Sequence, residues 1–460
     1  MRKFRISRCL LTKLVLLWGA LALQLLACND DEKAVTNPFD TTSSSDNQLR
    51  NKIVVISDLH LGNDLAYSEN VKHLKRLEQF LNEVRSSSTI KELVIAGDMI
   101  DEWYIPTRVN TYGGGTQGDF VRKSVAANQA IFNVLNGIIK DGHIKLTYIP
   151  GNHDMGFTAE SVNIAMPGVN QARDAGEKYG VGTYHPDGYA QIAIEHGHRY
   201  DFFCAITPNA NEADAPGAIL PPGYFFARIA ANSFTNPTTE NEATKTPIVT
   251  LNDGANAEQA AKFTYYSLWQ AVLDTKIYVK EDFSAPIITT NIGHFTQTYS
   301  INDILPYNST DGSIQMKLYN GLFTQAKWDE REKYNNVTVM TNINEAIVGS
   351  LKTTFIDESS NVQYFQNSLS NARIVVFGHT HLPMIKSYTN HKGEACIYAN
   401  SGTWEDQKTR TPSEAIDQDA IKMHFVVIYP EKENKNKLQV DLYQYRYGEH
   451  ELVDSKDLNL

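Results

Sequence analysis

What most restricts the fold of this chain is a unit that recurs from Asn51 onward: a short unbroken apolar run, a polar turn, then apolar residues at helical spacing. "KIVVIS" has no polar alternation, so it reads as a strand covered on both faces. In "VKHLKRLEQFLNEV", Leu74, Leu77, Phe80, Leu81 and Val84 fall on one side of a helix. "ELVIA" precedes a helix predicted over about 119–140, with Val121, Val125, Ile131, Phe132, Leu135 and Ile138 on one face. "IKLTYIP", "AQIAIEH", "ARIVVFG", "ACIYAN" and "KMHFVVIYP" read as further strands, and "LQVDLYQYRY" as the last. Strands and helices in alternation give an α/β (α+β) chain whose sheets are covered by helices.

The regularity stops between residues 205 and 370. Helical stretches such as "PPGYFFARIAANSF", "AEQAAKFTYYSLWQAVLD" and "FTQAKWDEREKY" are separated there by Pro-, Asn- and Thr-rich segments. Because a strand of the earlier kind follows, this segment is expected to be a mostly helical cap inserted between two core segments, 51–204 and 371–460. "YGGGTQG" at 112–118 lacks the Lys and Ser/Thr of a nucleotide P-loop and is expected to be a flexible loop. Trp103 and the cap aromatics are expected to serve packing.

Five of the apolar runs end in residues that bind metals. "VVIS" runs into Asp58 and His60, "LVIA" into Gly97, Asp98 and Asp101, "TYIP" into Gly151, Asn152, His153 and Asp154, "IAIE" into His196 and His198, and "VVF" into Gly378, His379 and His381. α/β sheets bind ligands beyond the carboxyl ends of their strands, so residues distant in sequence can converge there. The set offers carboxylate, imidazole and amide oxygen without thiolate, which suits Mn, Fe or Zn and not a cysteine-based structural zinc. One carboxylate can bridge two divalent cations roughly 3.5–4 Å apart, the separation of two-metal hydrolases. A hydroxide bridging such a pair can attack a phosphate in line, while the cations neutralise its oxygens.

The ordered set Asp-x-His, Gly-Asp-x-x-Asp, Gly-Asn-His-Asp, His and Gly-His-x-His resembles the calcineurin-like metallophosphoesterases over residues 51–204 and 371–450. The resemblance implies a four-layer fold, a β-sandwich flanked by helices, and hydrolysis of a small phosphorylated substrate with two divalent metal ions. It implies that Asp58, His60 and His381 bind one cation, that Asn152, His196 and His379 bind the other, and that Asp98 bridges them. His153 would contact the scissile phosphate or protonate the leaving oxygen, with Asp154 orienting its ring. Asp101 would support its loop or a ligand histidine, and His198 would touch substrate or the surroundings of the ligands. "GDMIDEW", "HGHRYDF" and the "PPG" before Arg228 look like the branch containing UDP-2,3-diacylglucosamine hydrolases, which makes Arg228 a candidate substrate or supporting residue. That branch has arginine where this chain has His153 and works inside the cell, so the likeness extends to architecture and not to substrate. Phosphodiester hydrolysis and sugar-nucleotide pyrophosphate cleavage are alternatives within the family. A surface protein that binds a phosphorylated ligand without turning it over is the non-enzymatic one.

The chain's start points to export. Arg2, Lys3, Arg5, Arg8 and Lys13 precede an apolar stretch from Leu14 to Ala27, a secretory signal pattern ending in "LLAC", which resembles a bacterial lipobox. Residues 1–27 are thus expected to be a lipoprotein signal peptide and Cys28 the lipidated residue, anchoring the chain in the cell envelope on the periplasmic or outer-surface side of the outer membrane. Residues 28–50, polar and rich in Asp, Ser and Thr, are expected to be a disordered tether. The net charge of −11 and the lack of a basic stripe argue against a nucleic-acid surface. Beyond Cys28, Cys204 and Cys396 are the only cysteines, free to pair or to stay as thiols.

Overall fold

Every residue of β1 is buried because both faces of its sheet are covered. The computed structural model describes residues 37–39, 50–174, 180–338, 342–352, 354–406, 423–432, 437–446 and 448–459. The leader, Cys28 and most of the expected tether lie outside the described residues. In chain order the strands are β1 (Lys52–Ile56), β2 (Ile90–Ala96), β3 (Lys145–Ile149), β4 (Asn170–Gln171) and β5 (Ile192–Ile194). Two short pairs follow in the insertion, β6 (Ile288–Thr289) with β7 (Thr298–Tyr299) and β8 (Tyr307–Asn308) with β9 (Ile314–Gln315). The chain then continues through β10 (Ile374–Phe377), β11 (Met384–Thr389), β12 (Ala395–Asn400), β13 (His424–Lys432), β14 (Lys437–Arg446) and β15 (Glu449–Asn459).

A seven-stranded sheet has the order β15-β14-β13-β1-β2-β3-β4, and a four-stranded sheet the order β11-β12-β10-β5. Alternate residues of each strand face opposite ways. Ile53, Val55, Val94 and Ala96 therefore meet Ile192, Ile194, Ile374 and Val376 between the sheets. Val54, Ile56, Leu93 and Ile95 face the other way, onto Leu77, Phe80, Leu135 and Ile138 of the helices. On the outside of the smaller sheet, Val375, Phe377 and Tyr398 are covered by Ile356, Tyr364 and Phe365. The result is a mixed α/β sandwich of four layers, with helices on both outer faces of the paired sheets. β1, β2, β3 and β4 run parallel, as do β5, β10 and β12, so the motif-bearing strands of each sheet end on a common edge.

The insertion has a core of its own, built from Leu220, Tyr224, Phe225, Tyr265, Phe295, Tyr319 and Trp328 among others, and Trp103 and Met155 of the strand-end loops are buried in it. Four details differ from the sequence reading. The segment Phe355–Phe365 packs on the smaller sheet as the fourth layer, so the cap ends before residue 355 and not at 370. The single helix expected over 119–140 is two, Gln117–Ala127 and Gln129–Asp141, divided at Asn128, whose side chain donates to the Gly62 and Ser124 carbonyls. The segment 28–50 is not wholly a tether: Phe39 is buried against Phe80, Phe425 and His450. A further strand, β15, follows the one expected to be last, pairing with β14 from Arg446↔Glu449 to Lys437↔Asn459.

Candidate metal centre

Asp58 and Asp98 each lie two residues beyond a strand, after a backbone turned sharply back. Five of the candidate ligands have left-handed backbone: Asp58 (φ 55°), His60 (46°), Asp98 (51°), His379 (68°) and His381 (60°). Each such non-glycine residue costs on the order of 1–3 kcal/mol and is found where surrounding structure enforces it. The motif glycines make room for the turn. A Cβ on Gly97 (φ 92°) would lie 2.3 Å from His196 Nδ1, and one on Gly151 would lie 2.2 Å from Asp98 Oδ1.

All five strand ends meet. His381 Nε2 is 3.1 Å from Asp58 Oδ1, and Asp58, His60 and His381 form one group able to hold a metal ion. Asp98, His196 and His379 form a second. Asp98 joins them: its Oδ2 lies 3.1 Å from His196 Nε2 and 3.8 Å from His60 Nε2. Asn152 Oδ1 lies 3.1 Å from His196 Nε2.

The imidazoles show what chemistry these groups present to one another. Each candidate ligand histidine is held on its far side: His60 Nδ1 by Asp101 and Glu69, both at 3.1 Å, His196 Nδ1 by the Ala96 carbonyl at 2.8 Å, His379 Nε2 by Asp201 at 3.2 Å and His381 Nδ1 by Glu405 at 3.3 Å. A histidine that donates from one nitrogen presents a lone pair on the other. His196 Nε2 thus points a lone pair at the oxygens of Asp98 and Asn152, Asp58 Oδ1 faces His381 Nε2 at 3.1 Å, and buried His60 Nε2 has no hydrogen-bond partner among the described residues. Lone pairs converging in a buried space call for positive charge. Burial disfavours the imidazolium forms of His196 and His381, yet Asp98 and Asp58 for the first, and Glu405 and Asp58 for the second, raise both to about 9. Burial likewise opposes ionisation of Asp98, but His196 and His153 hold its carboxyl well below the usual range. The residues present therefore fit divalent cations.

Residues 51–218 match the family model for calcineurin-like phosphoesterases. No curated protein shows a significant match to the chain. The phosphoesterase match takes in four of the five strand ends and stops before Gly378; the fold brings His379 and His381 to the groups that the matched segment begins. Together, the match and the clusters support a metal-dependent phosphoesterase.

Two expected roles change with the structure. The carboxylate on His153 is not that of Asp154 but that of Asp101, whose Oδ1 lies 2.8 Å from His153 Nδ1. Asp154 is fully buried behind the loop, where it accepts from the Gly151 N–H at 2.6 Å and the Met99 N–H at 2.9 Å; burial and then Asp98 raise its pKa to about 6. Arg228 is not open to a substrate. Its buried guanidinium donates to the carbonyls of Ile105, Pro106, Thr107, Val109 and Thr289. His198 lies beside the centre, its ring 5.3 Å from that of His196, with both nitrogens buried and unpartnered; burial, then His196 and His379, hold it neutral. Glu69 and Glu405, which back two candidate ligand histidines, belong to no motif, and Asp201, which backs a third, lies within "HGHRYDF" but is not singled out by it. Cys204 and Cys396 are free thiols.

Proposed function

We propose that the chain is a phosphoester hydrolase that uses two divalent cations, Mn, Fe or Zn. The observation that carries this reading is the pair of His/Asp groups joined at Asp98. Asp58, His60 and His381 would hold one cation, Asn152, His196 and His379 the other, and Asp98 both; with Asp201 on its Nε2, His379 would offer Nδ1. Bound there, the cations would supply an activated water and neutralise the oxygens of a small phosphorylated substrate. Asp101 keeps the His153 Nδ1 protonated, so Nε2 is the nitrogen that can donate to a phosphate oxygen or the leaving oxygen. The His153 ring is partly open, with 15 % of its side chain exposed, as a substrate-facing group must be, whereas His60 beside it is closed off.

The test is the chain from residue 29 onward, loaded with Mn, Fe or Zn and assayed for bound metal and for turnover of a phosphomonoester, a phosphodiester and a sugar-nucleotide pyrophosphate. Two cations per chain and turnover of one ester class support the reading; fewer than two after loading sinks it. Binding of all three compounds with no turnover would favour a ligand-binding surface protein instead. The leader pattern supports attachment to the bacterial cell envelope through a lipid on Cys28. Incorporation of labelled fatty acid into the wild-type chain, and its loss in Cys28→Ala, checks that.

A further inference from the structure

Trp103 stands where the cap's core and the candidate centre touch. Its indole stacks on the His153 ring, with centroids 4.9 Å apart and planes 29° apart. It is buried with the cap's apolar residues, and Tyr224 of the cap helix Pro222–Thr235 meets it edge-on at 6.2 Å. The loop that carries the indole is fixed on both sides. Asp101 Oδ1 accepts from the Trp103 and Tyr104 N–H groups at 2.8 Å each, the same oxygen that faces His153 Nδ1. After it, the Ile105 N–H donates to the Trp103 carbonyl at 2.8 Å. Arg228 then takes the Ile105 carbonyl at 2.6 Å and those of Pro106, Thr107 and Val109, and donates to the Tyr224 hydroxyl at 2.7 Å.

One hydrogen bond from Asp101 fixes where His153 Nδ1 sits but leaves the ring free to turn about that contact. Its plane is set by its neighbours: His60 edge-on at 4.6 Å, and the indole stacked on it at 4.9 Å. Where Nε2 points depends on that plane, and misplacing a reacting group by an ångström can cost roughly a hundredfold in rate. We propose that Trp103 is the positioning residue for His153 and that Arg228 holds it in place from the cap. The cap thereby aims a histidine it does not contain. This rests on the reading of His153 as the group that assists the leaving oxygen.

The test compares kcat and KM of the metal-loaded chain on an alkyl phosphate, whose leaving oxygen needs a proton, and on 4-nitrophenyl phosphate, whose leaving oxygen does not. Trp103→Leu is expected to lower kcat on the alkyl ester by about 10–100-fold, and less on the aryl ester, with KM within about twofold. Trp103→Phe keeps a flat ring and should recover most of the loss. Arg228→Lys, remote from the centre, should show a smaller loss of the same leaving-group dependence. In a His153→Ala background, Trp103→Leu should cost nothing further. Equal losses on both esters, a change in KM alone, or an undiminished loss in that background would overturn the proposal. Should Trp103→Leu fail to fold, Trp103→Phe and Arg228→Lys decide it, and uniform losses across the esters count against it. Full turnover by His153→Ala would remove the role of His153 and this proposal with it; a slow His153→Ala beside a fast Trp103→Leu would remove the proposal alone.

Discussion

The strand ends and the cap bury polar groups for opposite ends. In the cap, Arg228 and Arg331 are fully buried; Arg228 donates to five carbonyls, and Arg331 Nη2 takes those of Asp201 and Phe202 at 2.9 and 2.8 Å while its Nη1 meets Glu332 at 3.1 Å, leaving Nε alone without a partner among the described residues. At the strand ends, His60 Nε2 is buried with no hydrogen-bond partner among the described residues, and Asp58 Oδ1 faces imidazole nitrogens of His381 and His60. Leaving such an atom unpaired costs about 1–3 kcal/mol, more when it is charged. Burial of a charged side chain therefore says little about function. Unanswered lone pairs that converge on one space say much more.

Asp98→Asn should break the strand-end half of this contrast most severely. Turnover is expected to fall on the order of a thousandfold or more, with loss of bound metal measured on the same sample. If metal content and rate both survive, Asp98 is not the shared group. Phe225→Ala in the cap core should act in the reverse manner: about 3–5 kcal/mol of stability is lost in denaturant unfolding, while the folded fraction keeps its metal. The two buried aspartates sharpen the contrast within the strand ends. Asp101→Asn should lower kcat about 10–100-fold, as loss of a carboxylate behind a working histidine does, whereas Asp154→Asn should cost about 1–3 kcal/mol of stability and leave kcat near wild type. The opposite pattern would restore Asp154 as the partner of His153. The smallest effect is expected from a reductant, which should leave the melting midpoint unchanged because Cys204 and Cys396 are free thiols.

Much of this was legible in the sequence because sheets covered on both faces leave unbroken apolar runs, and such runs end where their ligands sit. That rule marks Asp58, Asp98, Asn152, His196, His379 and His381, together with Asp101, His153, Asp154 and His198; sorting candidate ligands from the rest took the resemblance to a family. The partner of His153 could not be named, since Asp154 is its neighbour in sequence while Asp101 is its neighbour only once β2 and β3 are paired side by side. Glu69, Asp201 and Glu405 lie in loops with no periodicity, and nothing local distinguishes a carboxylate behind a histidine from one in water. Arg228 misled because its helix begins in a motif-like "PPG", yet four of the five carbonyls it meets lie more than a hundred residues earlier. Phe39 was hidden by a polar stretch, in which one aromatic residue gives no pattern.

The left-handed backbone at Asp58, His60, Asp98, His379 and His381 narrows what substitution can achieve there. Aspartate, asparagine, histidine and glycine tolerate that conformation better than other residues. Exchanging Asp98 for glutamate would keep the same donor chemistry and still be opposed by the main chain. Attempts to retune the centre toward another cation are thus better aimed at Glu69, Asp201 and Glu405, which act on it through the histidines and for which no such backbone restriction applies.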